Sequence, residues 1–288
     1  MSTLYLNVEH TRPPDFKVWT FPGGEVGVEQ INPIYDTRQS QMVARLSSSN
    51  DLIALVLATD SIKRSALALP ETLIVPYLPY GRQDRVTEAG GAFSLQAIGQ
   101  IIDNLGYKII KTVDPHSYVS QAVFNKSQLI SVDTTYLLKN IIDKDTVLLA
   151  PDLGAHKRVS AAAHQYSLEH MACIKERRGS DVIITPPTEE QLMKYKKILI
   201  YDDICDGGAT FVSVANAINR VLKNRPDKPQ LQLFVTHGIF SKALTPFNNL
   251  FTHIYTTNTW QEFGQSWFNW NAGKFQVFPI FDDLVRHL

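Results

Sequence analysis

Along this chain, short continuous apolar runs alternate with longer stretches in which apolar residues return every three or four positions. The first kind reads as a strand buried on both faces, the second as an amphipathic helix. Residues 50–69, "NDLIALVLATDSIKRSALAL", predict a helix capped by Asn50, and "ETLIVPYLPY" predicts a strand that runs out into a loop. "FSLQAIGQIIDNLG" follows as a helix with Ile98, Ile101, Ile102 and Leu105 on one face and Gly106 closing it. "YKIIKTVDPH" is the next strand.

After "DKDTVLLAPDLG" the series restarts. It predicts a strand, a helix near "KRVSAAAHQYS", strands at "MACIKER" and "KKILIYDD", a helix over "TFVSVANAINRVLKN" and a strand at "QLQLFVTHG". Two successive strand-and-helix series predict an α/β chain of two domains, residues 1–140 and 141–288, each a mainly parallel sheet flanked by helices. The length of 288 residues agrees with two domains.

Composition narrows the function. Twenty-eight basic residues balance 28 acidic ones, so no global charge draws the chain to nucleic acid. The only cysteines, Cys173 and Cys205, lack metal-ligand spacing and suit a reduced compartment. The N-terminal residues do not read as an export signal, and no apolar run approaches the roughly 20 residues that span a bilayer. A cytoplasmic protein with no membrane or nucleic-acid partner is expected.

Ligands of open parallel sheets sit at the carboxyl ends of the strands. Four predicted strand ends carry unusual residues: "PYGRQDR" at 79–85, "VDPHS" at 113–117, "APDLGAHKR" at 150–158 and "YDDICDGGAT" at 201–210. In the last, the apolar residues 198–201 are expected to lead Asp202 and Asp203 out of the core, because two adjacent unpaired charges cost several kcal/mol to bury. The small residues of "DGGAT" let backbone amides converge on an anion, and a helix starting near Thr210 adds its positive end. A phosphate cradle beside two hydroxyl-binding acids suits a ribose phosphate. An ordinary strand-to-helix turn capped by Asp206 is the plainer reading of "DGGAT" alone.

Taken in order, "PYGRQDR", "PDLGAHKR", "KER" at 175–177, "YDDICDGGAT" and "THGIF" at 236–240 resemble the ribose-phosphate pyrophosphokinase family, from about Phe21 to the end. The resemblance implies two tandem phosphoribosyltransferase-type domains, an ATP side followed by a ribose-phosphate side. It implies that Phe21, Gly23 and Glu25 hold adenosine from a neighbouring subunit of a dimer or hexamer. Arg82, Gln83, Asp84 and His116 would serve ATP, and His116 and Asp152 would be ligands of its Mg2+. Asp114, two residues from His116 on a strand, is placed to assist it. Lys175 and Arg177 would be catalytic, two cations on one side of a short strand aimed at the transferring group. Asp202, Asp203, Asp206, Gly207, Gly208, Ala209 and Thr210 would hold the ribose phosphate, with the acid pair on the sugar hydroxyls or a second magnesium. The implied reaction moves the pyrophosphoryl group of ATP to the C1 hydroxyl of ribose 5-phosphate.

The chain also departs from the family pattern. Gly207 stands where the usual loop has a threonine, Leu153 and His156 replace smaller side chains, and the segment after Arg85 lacks a run of lysines. A loop short of one hydroxyl leaves room for a 5-substituted acceptor such as ADP-ribose, the main alternative. A noncatalytic regulatory homologue is a second alternative, opposed by the presence of Glu25, Arg82, Lys175 and Arg177. The segment around Arg45 is shorter than in relatives that bind allosteric nucleotides. The stretch holding Trp260, Trp267 and Trp270 has no lysine or arginine before Lys274, which speaks against nucleic acid.

Overall fold

The computed structural model describes residues 2–8, 13–31, 40–66, 68–178, 181–269 and 273–286. The chain divides into two compact units, one of Met1–Asp133 with Thr259–Gln261 and Ile280–Leu288, the other of Thr134–Asn258 with Glu262–Pro279. The final segment therefore groups with the first unit, although it follows the second in sequence.

The first unit contains β1 (Ser2–Tyr5), the strand pair β2 (Phe16–Thr20) and β3 (Val26–Gln30), β4 (Ser40–Val43), α1 (Ser49–Ser65), β5 (Thr72–Ile74), α2 (Ser94–Asp103), β6 (Ile109–Val113), α3 (Val119–Ala122) and β7 (Gln128–Val132). Its five-stranded sheet runs β1-β4-β5-β6-β7, parallel throughout, while β2 and β3 form an antiparallel hairpin. Ser48 rather than Asn50 caps α1. Its hydroxyl accepts from the Asp51 N–H while the Asp51 carboxylate accepts from the Ser48 N–H at 2.8 Å, a reciprocal pairing that Asn50 has no partner to match. On α2 the buried face is Leu95, Gly99 and Ile102, and Ile101 is exposed. Gly99 belongs to that face because a Cβ there would stand 2.8 Å from a Val123 methyl. Buried Asp103 accepts backbone N–H bonds from Asn125 and Ser127, each at 2.8 Å, and so fixes the turn into β7.

The second unit contains β8 (Thr146–Ala150), α4 (Leu153–Tyr166), β9 (His170–Ala172), β10 (Ile174–Arg178), β11 (Asp181–Thr185), α5 (Glu189–Leu192), β12 (Lys197–Cys205), α6 (Ala209–Val221), β13 (Gln230–Gly238), β14 (His253–Thr257), α7 (Gln265–Phe268) and β15 (Phe275–Phe278). Its six-stranded parallel sheet runs β15-β14-β13-β12-β8-β9. The predicted strand at "MACIKER" is two elements. After β9 the Cys173 N–H bonds to the Ala150 carbonyl, and β10 leaves the sheet to pair antiparallel with β11.

Alternation along β12 sends Leu199 and Tyr201 into the core beneath α4, and Ile198 and Ile200 into the core beneath α6. Burial of Phe211, Val214 and Ile218 holds α6 there, each worth about 1.5–3 kcal/mol. The last helix, α8 (Phe281–Arg286), belongs to the first unit, where Phe281 and Leu284 pack with Tyr5, Val43, Ile74 and Val113. Among the described residues, no helix is long and apolar enough to cross a membrane.

Candidate functional site

In the second unit the site grows from one change of pairing. β12 pairs with β8 only as far as Ile200, opposite Leu149, but continues beside β13 to Cys205. Asp202 and Asp203 therefore lie within the strand, on a stretch whose β8 side has lost its neighbour. The expectation that the strand leads both acids out of the core is corrected here: Asp203 is buried, and Asp202 is partly open to solvent. Asp203 shares its strand face with Leu199 and Tyr201, toward α4, where an Arg158 guanidinium nitrogen stands 3.9 Å from its carboxylate. Burial, with the negative charge of Asp203 added, pushes the pKa of Asp202 well above the ordinary carboxylate range. One Asp202 oxygen accepts from the Asp203 N–H at 2.9 Å.

Lys175, on β10, brings three predicted positions together. Its ammonium stands 3.5 Å from Asp152 Oδ2 and 3.4 Å from Thr210 Oγ1. Asp152 is the cap of α4, with Oδ1 accepting from the Gly154 and Ala155 N–H groups, and Thr210 is the second residue of α6. The cation thus lies between the amino ends of two helices. The side chain of Arg177 lies outside the described residues.

The turn from β12 into α6 is built on one obligatory glycine. Gly208, the cap position of α6, has φ +78°, and a Cβ there would meet the Phe247 ring at 2.4 Å. Phe247 belongs to an aromatic cluster with Phe240 and Phe251, and Phe240 in turn touches Phe263, Trp267 and Phe275. Gly207 is different: its added Cβ would meet only Lys242 and Ser241 atoms at 3.7–3.8 Å, ordinary contact distances. Asp206 is held by the Ser241 hydroxyl, which donates to its Oδ1 at 2.7 Å.

The candidate positions of the first unit form a second cluster. Asp84 is buried and accepts from Arg85 Nε at 2.8 Å, and the neighbouring Gln83 Oε1 accepts from Ser94 at 2.5 Å. Burial alone would raise the Asp84 pKa. Hydrogen bonds from Arg85 and Ser117, helped by the charges of Arg85 and His116, outweigh it and hold the carboxyl below its ordinary value. His116 lies against Gly81, whose added Cβ would be 3.6 Å from the His116 Cβ. Asp114 is not on a strand with His116, since β6 ends at Val113 and Asp114 takes φ +40°. Arg82 is exposed. Phe21, Gly23 and Glu25 lie on the tip of the β2–β3 hairpin, where the Phe21 N–H bonds to the Glu25 carbonyl and the half-exposed Phe21 ring meets Trp19 edge to face.

No protein-family model matches the chain. Individual proteins do. Ribose-phosphate pyrophosphokinase of Aquifex aeolicus is 28% identical over 298 residues, covering 96% of this chain and 88% of its own. Ribose-phosphate pyrophosphokinase 2 of Archaeoglobus fulgidus is 30% identical over 200 residues, 69% of this chain and 68% of the relative. The chain belongs to the ribose-phosphate pyrophosphokinase family. The crystal structure of phosphoribosylpyrophosphate synthetase from Mycobacterium smegmatis matches with a TM-score of 0.80 at 17% identity, over 99% of this chain and 97% of that one, a likeness of fold.

Within a chain of this family, four neighbours of the candidate residues were given no role from sequence: Arg158 beside Asp203, Ser241 on Asp206, Lys242 beside Gly207 and Phe247 under Gly208. Arg158 left a signal, six positions beyond Asp152 on the same helix. The other three come from the segment after β13, and only the parallel pairing of β12 with β13 brings that segment to the turn. His237 is buried near the end of β13. Trp260 packs edge to face on Tyr77, Trp267 joins the aromatic cluster, and Trp270 lies outside the described residues.

Proposed function

We propose that this protein transfers the pyrophosphoryl group of ATP to the C1 hydroxyl of ribose 5-phosphate, releasing AMP. Family membership supports the class of reaction. The observation that carries the assignment of residues is the position of Lys175, whose ammonium lies within 3.5 Å of both Asp152 and Thr210, at the amino ends of α4 and α6.

In this reading Asp202 and Asp203 accept hydrogen bonds from the sugar hydroxyls. The local geometry supports it: Asp202 is partly open to solvent on the stretch of β12 that has no β8 neighbour, and Asp203 beside it faces the Arg158 guanidinium at 3.9 Å. The backbone of Asp206, Gly207, Gly208, Ala209 and Thr210 and the amino end of α6 receive the 5-phosphate. Lys175, with Arg177, steadies charge on the migrating group as the C1 oxygen attacks the β-phosphorus and the bond to the α-phosphate oxygen breaks. No covalent enzyme intermediate is needed.

Arg82, Gln83, Asp84 and His116 are assigned to ATP, and Phe21, Gly23 and Glu25 to the adenosine of a neighbouring subunit in a homo-oligomer. The half-exposed Phe21 ring supports the last assignment. Magnesium fits the donors available. Asp152 commits Oδ1 to its helix cap while Oδ2 stands 3.5 Å from the Lys175 ammonium, and among the described residues no three His, Cys, Asp or Glu side chains gather into a cage. That suits an ion which keeps its waters and the oxygens of its nucleotide rather than an all-protein site. When bound, it would neutralise phosphate charge. His116 offers nitrogen, the poorer donor for magnesium, and its part is best read as orienting the nucleotide end.

One observation favours a 5-substituted acceptor such as ADP-ribose as a second reading. Gly207 has neither a left-handed φ nor a packing clash to require glycine, so its missing side chain is free to serve ligand access. Incubation with ATP and each acceptor, with products identified by mass, tests both. AMP without ADP, together with a diphosphorylated acceptor, is expected; ADP as the product, or no turnover of either acceptor, refutes the donor chemistry.

A further inference from the structure

The family's loop has a threonine where this chain has Gly207, and the structure locates what borders the position instead. Lys242 Cε and Cδ lie 3.7 and 3.8 Å from where a Gly207 Cβ would be, so the lysine stem rests along the turn. A threonine would add two further atoms beyond that Cβ, in the space beside the lysine. The Lys242 stem therefore borders the turn at ordinary contact distance, next to the position where this chain has no side chain.

The lysine's backbone is held in place. The N–H groups of Ile239 and Phe240 bond to the Cys205 carbonyl at 2.9 and 3.1 Å, the Ala243 N–H bonds to the Phe240 carbonyl, and Ser241 donates to Asp206. These bonds fasten the segment 239–243 to the same turn that leads into α6. Lys242 itself is exposed, and among the described residues its ammonium has no ion-pair or hydrogen-bond partner. An exposed cation with a fixed base beside an amide-rich turn is suited to receive an anion brought by the substrate.

We infer that Lys242 contacts the phosphoryl group on C5 of the acceptor sugar and takes over the work of the hydroxyl that Gly207 lacks. This rests on the loop's being the acceptor-phosphate site, as proposed above. The chemistry it recognises is a phosphoryl oxygen, whether on a terminal monoester or on the first phosphate of a diester.

Steady-state kinetics of Lys242→Ala with ribose 5-phosphate and with ADP-ribose test it. The expected result is a rise of about tenfold in the KM of whichever acceptor the wild type uses, with kcat within about twofold and the KM of ATP unchanged. Lys242→Arg should keep most of the affinity, and Gly207→Thr should recover part of it in the Lys242→Ala background. The acceptor whose KM rises identifies the phosphate that Lys242 meets. An acceptor KM within twofold of wild type in Lys242→Ala, while the wild type remains active, overturns the inference and leaves the proposed reaction standing. A wild type inactive toward both acceptors overturns the reaction and the inference with it.

Discussion

Asp84, in the loop between β5 and α2 of the first unit, and Asp202, within β12 of the second, resolve their charge in opposite ways. Asp84 comes with its own donors: Arg85 at 2.8 Å, the Ser117 hydroxyl and the nearby His116 keep it ionised. Asp202 faces burial and the charge of Asp203, with Arg158 as a partial offset, and its pKa is pushed well above the ordinary carboxylate range. Charge matched from within marks a position that folding alone can satisfy. A carboxyl whose ionised form is opposed by burial and by a like charge gains from hydroxyl donors, which is why the proposed reading puts the sugar at the second.

The largest effect that would sharpen the contrast is on turnover. Lys175→Ala removes the cation between Asp152 and Thr210, and kcat should fall roughly 100- to 1000-fold with the thermal unfolding midpoint nearly unchanged. Full activity in that variant would break the comparison and favour the noncatalytic reading.

Next in size is the pair of adjacent glycines that shape the second site. Gly208→Ala meets a left-handed φ and a ring 2.4 Å from its new Cβ, and should cost on the order of 2–4 kcal/mol. Gly207→Ala, one residue away, should stay within about 0.5 kcal/mol. Urea denaturation of the two variants measures the difference, and equal losses would mean that the turn is not built as described.

The smallest effects are on the acids themselves, and their signs should be opposite. The folded pKa of Asp84 is depressed, so its contribution is present at neutral pH and is lost as pH falls through the folded value. Asp84→Asn should therefore destabilise the protein by about 1–2 kcal/mol at neutral pH and match the wild type in acid. The folded pKa of Asp202 is raised, so its penalty is absent below the ordinary carboxylate range, grows as pH rises from there and is complete above the raised value. Asp202→Asn should gain about 1 kcal/mol at neutral pH while losing affinity for the acceptor. Two variants that shift stability in the same direction would remove the distinction between matched and unmatched charge.

The periodicity of apolar residues carried the two parallel sheets, because strands buried on both faces and helices buried on one write different patterns. Asp202, Asp203 and Gly208 stood out as candidates because adjacent acids and paired glycines before a helix are costly without a purpose, whereas Lys175 was singled out by the family resemblance. What escaped was set by contacts distant in sequence. The end of β8 at Ala150 decides which part of β12 lacks a neighbour. The departure of β10 from the sheet follows from pairing with β11, and the exposure of Ile101 follows from Gly99 having to face Val123. Capping by Ser48 in place of Asn50 was a local choice between two good caps, decided by which of them had an acid three residues on.

The route of the chain through its two units has a consequence for synthesis. The first unit's Tyr5, Val43, Ile74 and Val113 pack under Ile280, Phe281 and Leu284, and these last three leave the ribosome only after the whole of residues 134–279. Translation proceeds at about 5–20 residues per second, so that face of the amino-terminal sheet stays uncovered for many seconds in every nascent molecule. The half that is made first is thus among the last to be completed, and a growing chain must keep one apolar surface shielded until its final turns arrive.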